Sequence, residues 1–242
     1  MSSTIPTQSA TPTHTEAATR RPPLRLPATL LLAGQLLYIV VTFLHTGGNA
    51  NDHHEVFAEY AHSGNWTLVH LGQFTGMAIF LAGLCALFSA LEGPARVTAR
   101  FGAAAAAAAL ALYGALQAVD GIALKQAVTA WVNAPDSEKA ARFASAEAIR
   151  WLEWGMRSYQ NFALGLALLL FAAAVTRAPR IPRPIPALMA LAGLTYLAQG
   201  WIVGTGGFSQ AESVAILAAY ALNLAWMVWL AVAASRKPAG VR

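Results

Sequence analysis

Charge is scarce in this chain. Of its 242 residues only 11% are Asp, Glu, Lys or Arg, while 57% are hydrophobic and the mean hydropathy is +0.49. An average soluble domain carries about 25% charged residues, so a water-solvated globular domain is excluded as the main reading. Cysteine is scarcer still. The single Cys85 can form neither an internal disulfide nor a CxxC centre, and its place inside an apolar run predicts a small buried helix residue. Also missing are HExxH, a Walker loop, a nucleophile elbow and a dinucleotide glycine fingerprint, which removes the chemistries that announce themselves locally. The net charge is +5 and the pI near 9.7, but no basic face is interleaved with aromatics, which argues against nucleic acid as a partner.

What is present is apolar length. A helix needs roughly 18 or more apolar residues to cross a hydrocarbon core of about 30 Å. Six such spans are expected, at about 28–45, 66–91, 99–119, 155–176, 186–204 and 213–235, in a transmembrane domain covering about 27–236. The fold class is therefore all-α, a polytopic helix bundle in a lipid bilayer. Gly47-Gly48, Gly64, Gly93-Pro94, Pro135, the run Pro179 to Pro186 and Gly204 to Gly207 mark the breaks. Residues 1–26, rich in Ser, Thr and Pro, and 237–242 read as tails, the first of them disordered. The first apolar run exceeds a signal-peptide core and five more follow, so a retained helix is expected.

Orientation follows from where the basic residues fall. Arg20, Arg21 and Arg25, then Arg96 and Arg100, then Arg177, Arg180 and Arg183, and finally Arg236, Lys237 and Arg242 flank alternate ends of the spans. Connections 46–65 and 205–212 have no Lys or Arg. The positive-inside rule then puts both tails in the cytoplasm, and residues 46–65 and the polar excursion 120–154 outside. Within that excursion, Asp136 is expected to cap a helix that runs unbroken into the fourth span, projecting beyond the bilayer.

Some features have plain structural readings. Ala103 to Ala109 suits close packing at the bundle centre. Asn223 and Gln199 suit interhelical hydrogen bonds, and Trp66, Trp131, Trp151 and Trp154 stand at the depth of interface anchors. "LLLAGQLLYIVVTFLHTGG" (30–48) aligns without gaps on "MALAGLTYLAQGWIVGTGG" (189–207), a candidate parallel repeat. The "LLAGQLLYIV" opening, the "PRPIPALMALAGLTYLAQG" entry to the fifth span and the six-span layout resemble a group of uncharacterised bacterial multi-pass membrane proteins. That resemblance implies a bacterial inner-membrane protein and transfers no functional residue.

Chemistry concentrates in "HTGGNANDHHEVFAEYAHSGNWTLVH" (45–70), which holds five of the six histidines. Asn51 or Asp52 can cap a short helix, with Glu55 completing a capping box and Gly64 ending it. On that helix Asp52, Glu55, Glu59 and His62 share one stripe and His53, Val56, Phe57 and Tyr60 another, the pattern of an external amphipathic helix. His54 and His62 stand about 12 Å apart along it, too far to share a zinc ion that holds imidazole at about 2.0–2.1 Å.

His45 and His70 bracket the helix and are expected at similar depth on neighbouring spans, with Gln73 and Met77 continuing the face of His70. Gln117 and Asp120 end span three, and Glu153, Arg157 and Gln160 begin span four, at the same layer. Polar groups within a membrane boundary are costly and mark sites by default. The expectation is an outward-facing pocket lined by His45, His70, Gln73, Asp120, Glu153 and Arg157 that binds or transports a small ligand or cation. His45 and His70 are its candidate metal ligands. Three other readings stand beside it: a redox or metal-dependent enzyme using the pair on a metal or a haem, a structural or partner-docking subunit, and a pH sensor. Singly, each residue also has a bland explanation. An interfacial histidine costs little, and Glu153 with Arg157 can be a bracing ion pair.

Overall fold

The computed structural model describes residues 24–49 and 51–236, and its regular structure there is entirely helical. The expected tails therefore lie almost wholly outside the described residues. In chain order come α1 (Arg25–Thr42), α2 (His53–His62), α3 (Trp66–Ala90), α4 (Gly93–Ala118), a π-helical turn (Val119–Leu124), α5 (Lys125–Val132), α6 (Asp136–Val175), α7 (Pro184–Gly206) and α8 (Gln210–Ser235). Six rods are long and apolar enough to cross a membrane, with α4, the π-turn and α5 forming the single rod Gly93–Val132. This is a multi-pass membrane helix bundle.

The rods close into a ring: α1 on α3, α3 on α4, α4 on α6, α6 on α7, α7 on α8, and α8 back on α1. Arg25 Nε donates to Ala234 O at 3.4 Å, so both described termini share one end. The opposite, distal end carries α2, α5 and the first turns of α6. Close approach depends on glycine. A Cβ on Gly76 of α3 would meet Tyr38 N of α1 at 2.8 Å, and one on Gly193 of α7 would meet Gly165 O of α6 at 2.9 Å. Gly34, the counterpart of Gly193 in the aligned stretches, likewise abuts the backbone of Phe80. Inside the ring Asn223 of α8 donates to Gln35 Oε1 of α1 at 3.1 Å and to the Tyr196 hydroxyl of α7 at 3.2 Å. Gln199 donates to Ala215 O at 3.2 Å.

Several expectations need correction. The third rod begins at Gly93, because Pro94 sits in its first turn where a missing N–H costs nothing. It also runs past 119 to Val132, since nothing in "LKQAVTAWV" breaks a helix, so most of the excursion is helical. Asp136 is the first residue of α6 and not its cap; Pro135 holds that position without a side-chain bond. Of the alanine run only Ala106 and Ala109 are buried; the most buried rod is α6, with α4 lending it one small-residue edge. Cys85 is exposed on the outer face of α3, because Leu81 and Leu84 take the inner one. Trp66 is only 2% exposed and packs inside the distal end, not as an interface anchor.

Candidate metal centre at the distal end

Four elements converge here. His45 follows α1 at the end of its last turn, His70 lies on α3, Asp120 sits in the π-turn, and Arg150, Glu153 and Arg157 occupy successive turns of α6. π-turns are often found at functional sites. This one widens the rod where it crosses α3, and Gly121 permits the crossing: a Cβ there would meet His70 Cβ at 2.8 Å. Trp66, one turn before His70, donates its indole N–H to Asp120 O at 3.2 Å, tying the π-turn to α3.

The two histidines are held alike. His45 Nδ1 lies 2.7 Å from Thr46 O and His70 Nδ1 lies 2.7 Å from Trp66 O. A carbonyl oxygen can only accept, so each Nδ1 carries the proton, and each Nε2 is the nitrogen left to bind. The rings stand 5.1 Å apart centre to centre, and both pack on Trp66, at 5.1 Å for His45 and 4.4 Å for His70. Asp120 Oδ2 approaches His70 Nε2 to 3.0 Å, the distance of an ion pair when the ring is protonated, and Asp120 Oδ1 has no hydrogen-bond partner among the described residues. One ligand atom each from His45, His70 and Asp120 lies within 4.8 Å of the others. Ligands on a tetrahedral zinc at about 2.0–2.1 Å stand about 3.3 Å apart, so the widest gap has at most ~1.5 Å to close. Outside the spans, burial pushes the His45 imidazole below its ordinary range, and the Asp120 carboxylate offsets this only in part. Burial likewise holds the Tyr60 phenol well above its usual range.

A polar cavity of about 220 Å³ opens beside this cluster, lined among others by Tyr38, His45, Gly48, Tyr60, Gln73, Gln117, Asp120, Arg150, Glu153, Arg157 and Phe208. Five of the six expected pocket residues line it. His70 instead lines an apolar groove between α3 and α4, which shares Gln117 with the cavity. Gln73 is a supporting residue, donating to Thr42 Oγ1 at 3.3 Å. The ion pair differs from the expected one: Glu153 takes Arg150, three residues back, at 2.6 Å. Arg157 points one turn deeper, its Nη1 reaching the Tyr38 hydroxyl at 3.4 Å. A haem has no room, since the two rings are packed edge to face with Trp66 and Tyr60 against them.

Trp66, Tyr60, Arg150 and Phe208 escaped the reading of the sequence as site residues. Arg150 is 2% exposed, with its guanidinium 4.6 Å from the Phe208 ring centre and 5.5 Å from that of Tyr60. Its three-residue spacing from Glu153, and the four residues from Trp66 to His70, were the available signals.

No curated protein and no solved structure matches the chain. A family model described as a domain of unknown function, DUF4386, matches residues 26–233, from the first turn of α1 to the last turns of α8. With the whole helix ring inside the match, the chain belongs to the DUF4386 family.

Proposed function

We propose that the protein binds a divalent transition-metal cation through His45 Nε2, His70 Nε2 and the Asp120 carboxylate. The supporting observation is a pair of imidazoles whose Nδ1 protons are committed to backbone carbonyls, with His70 Nε2 at 3.0 Å from the Asp120 carboxylate and one ligand atom each of His45, His70 and Asp120 within 4.8 Å of the others. Histidine ligands are commonly oriented by such a bond from the other ring nitrogen. Two groups this close need a cation between the His70 Nε2 lone pair and the Asp120 oxygen, either a proton on the ring or a metal ion that displaces it. Two nitrogens and a carboxylate suit zinc and its neighbours, and three protein ligands leave a coordination position open, as in sites that act on a bound molecule.

The open position would face the polar cavity, so the ion is read as a resident that engages a small ligand. Passage of the cation through the bundle fits less well, because Arg157 lines the cavity and Tyr38, also in its lining, packs on Tyr113, and a fixed positive charge repels a cation. The arginines at the terminal end and the Lys- and Arg-free connections at the distal end support a cytoplasmic terminal end in a plasma membrane, as in a bacterial inner membrane, with the site outside.

Cobalt(II) titration of the purified full chain, read by its visible d–d bands, tests the reading. Wild type is expected to saturate at one ion per chain. His45→Ala, His70→Ala and Asp120→Asn should each weaken binding at least ~10-fold, with helicity by circular dichroism unchanged. Equal, negligible metal uptake by wild type and variants would falsify the proposal.

A further inference from the structure

Arg157 is a cation at this end without a carboxylate partner among the described residues. It lines the cavity, has no carboxylate oxygen within 4.0 Å among the described residues, and its Nε has no hydrogen-bond partner. Among the described residues its side-chain hydrogen bond is the long approach to the Tyr38 hydroxyl at 3.4 Å. Arg150, by contrast, is matched by Glu153 at 2.6 Å. An arginine taken into a membrane bundle without a carboxylate partner is expensive, and guanidinium is the group best shaped to take two oxygens of a carboxylate or phosphate at once. Gln160 Nε2 on the same stretch of α6 and the nearby Tyr113 hydroxyl also have no hydrogen-bond partner among the described residues. A competing acid is Glu212 of α8, which is buried, interacts electrostatically with Arg157 without forming an ion pair among the described residues, and keeps Oε1 unpartnered there.

We propose that the cavity takes a small oxyanion, a carboxylate or a phosphate group, docked on the guanidinium of Arg157. The proposal deepens the cation reading, because an anion in this cavity can fill the open position of an ion at His45, His70 and Asp120; only that coupling rests on the metal. The docking itself rests on Arg157. The anion can arrive free from solution or as the headgroup of a lipid, for which the apolar groove beside His70 offers room of about 330 Å³ for a chain.

Isothermal titration of the metal-free full chain with acetate and with inorganic phosphate is the first measurement. Saturable binding is expected in wild type, weakened at least ~10-fold in Arg157→Gln and partly kept in Arg157→Lys, which retains the charge but loses the planar fork. Cobalt affinity of Arg157→Gln should stay close to wild type, which separates the anion site from the metal site and reports that the variant is folded. Glu212→Gln removes the competing acid and should bind the anion no more weakly than wild type. The second measurement is native mass spectrometry from phosphatidylcholine nanodiscs with and without phosphatidic acid. One retained phosphatidic acid, lost in Arg157→Gln, identifies a headgroup as the source, whereas phosphate binding without lipid retention identifies a free anion. If wild type binds neither the soluble anions nor phosphatidic acid, or if Arg157→Gln binds them as well as wild type, the proposal is wrong. Should cobalt fail to bind while the metal-free anion titration succeeds, the cation reading falls and this one stands.

Discussion

At the scale of single residues, the proposed centre depends on which nitrogen carries a proton. The lowered basicity of His45 keeps its imidazole neutral to below the ordinary histidine value of about 6.5. Because the folded state favours the neutral ring, the linked stability is present above that value and is lost as pH falls through it. Thermal unfolding of metal-free wild type should therefore weaken on acidification through this window. His45→Gln should show a flatter profile; an identical slope would remove His45 as the titrating group. Cobalt affinity should fall over the same range, since protons compete for both Nε2 atoms. Gly121 offers a subtler test. An alanine there would place its Cβ 2.8 Å from His70 Cβ, and the displaced imidazole should cost about 10–100-fold in cobalt affinity, as disturbing a ligand's support does elsewhere. Unchanged affinity would mean that the Gly121 contact does not position His70.

At the scale of elements, α2 acts as a buttress. Asp52 caps it, accepting from Glu55 N at 3.2 Å, and its Val56, Phe57 and Tyr60 face a small apolar core with Trp66, Leu124 and Val128. Its C-terminal end is gripped by Lys125, whose ammonium donates to Tyr60 O, Ala61 O and Ser63 O at 2.7, 2.8 and 2.9 Å. Those carbonyls lie at the C-terminal end of the helix, where a cation also meets the favourable end of the dipole. Lys125→Met should cost about 1.5–3 kcal/mol, the range for hydrogen bonds to a charged group. Hydrogen exchange should read the loss as faster amide exchange across 53–62, with α3 unaffected. Protection equal to wild type would assign the anchoring of α2 to its apolar face alone. Lys139 does the same for α5, donating to Trp131 O at 3.0 Å and Val132 O at 2.6 Å.

At the scale of the molecule, the prediction concerns orientation. In a Cys85→Ser background, a cysteine at Glu55 should react with a membrane-impermeant maleimide added to intact cells, and one at Thr98 should react only after permeabilisation. The reverse pattern would turn the molecule over and put the cavity inside the cell. Much of the architecture was legible along the chain. Within a bilayer every backbone group must find its partner locally, so apolar length alone predicts the rods, and the amphipathic stripe with its cap is likewise written in Asp52, Glu55, Val56, Phe57 and Tyr60. The candidate site was legible only as a layer, because depth along a helix can be counted while rotation toward a neighbour cannot.

Composition and order by themselves determined six apolar rods, their turns, and the gathering of His45, His70, Asp120, Glu153 and Arg157 near one end, because those properties depend on spacing within single helices. Tertiary structure decided the rest. It chose Arg150 over Arg157 as the partner of Glu153, which leaves Arg157 without an ion-pair partner among the described residues. It buried Trp66 and used it to join His45, His70 and Asp120. It also set a π-turn in the third rod that no local signal announces and brought the Asp120 carboxylate to His70. Both i,i+3 and i,i+4 pairs are open to a helical glutamate, and only the packing of α6 against its neighbours determines which one forms.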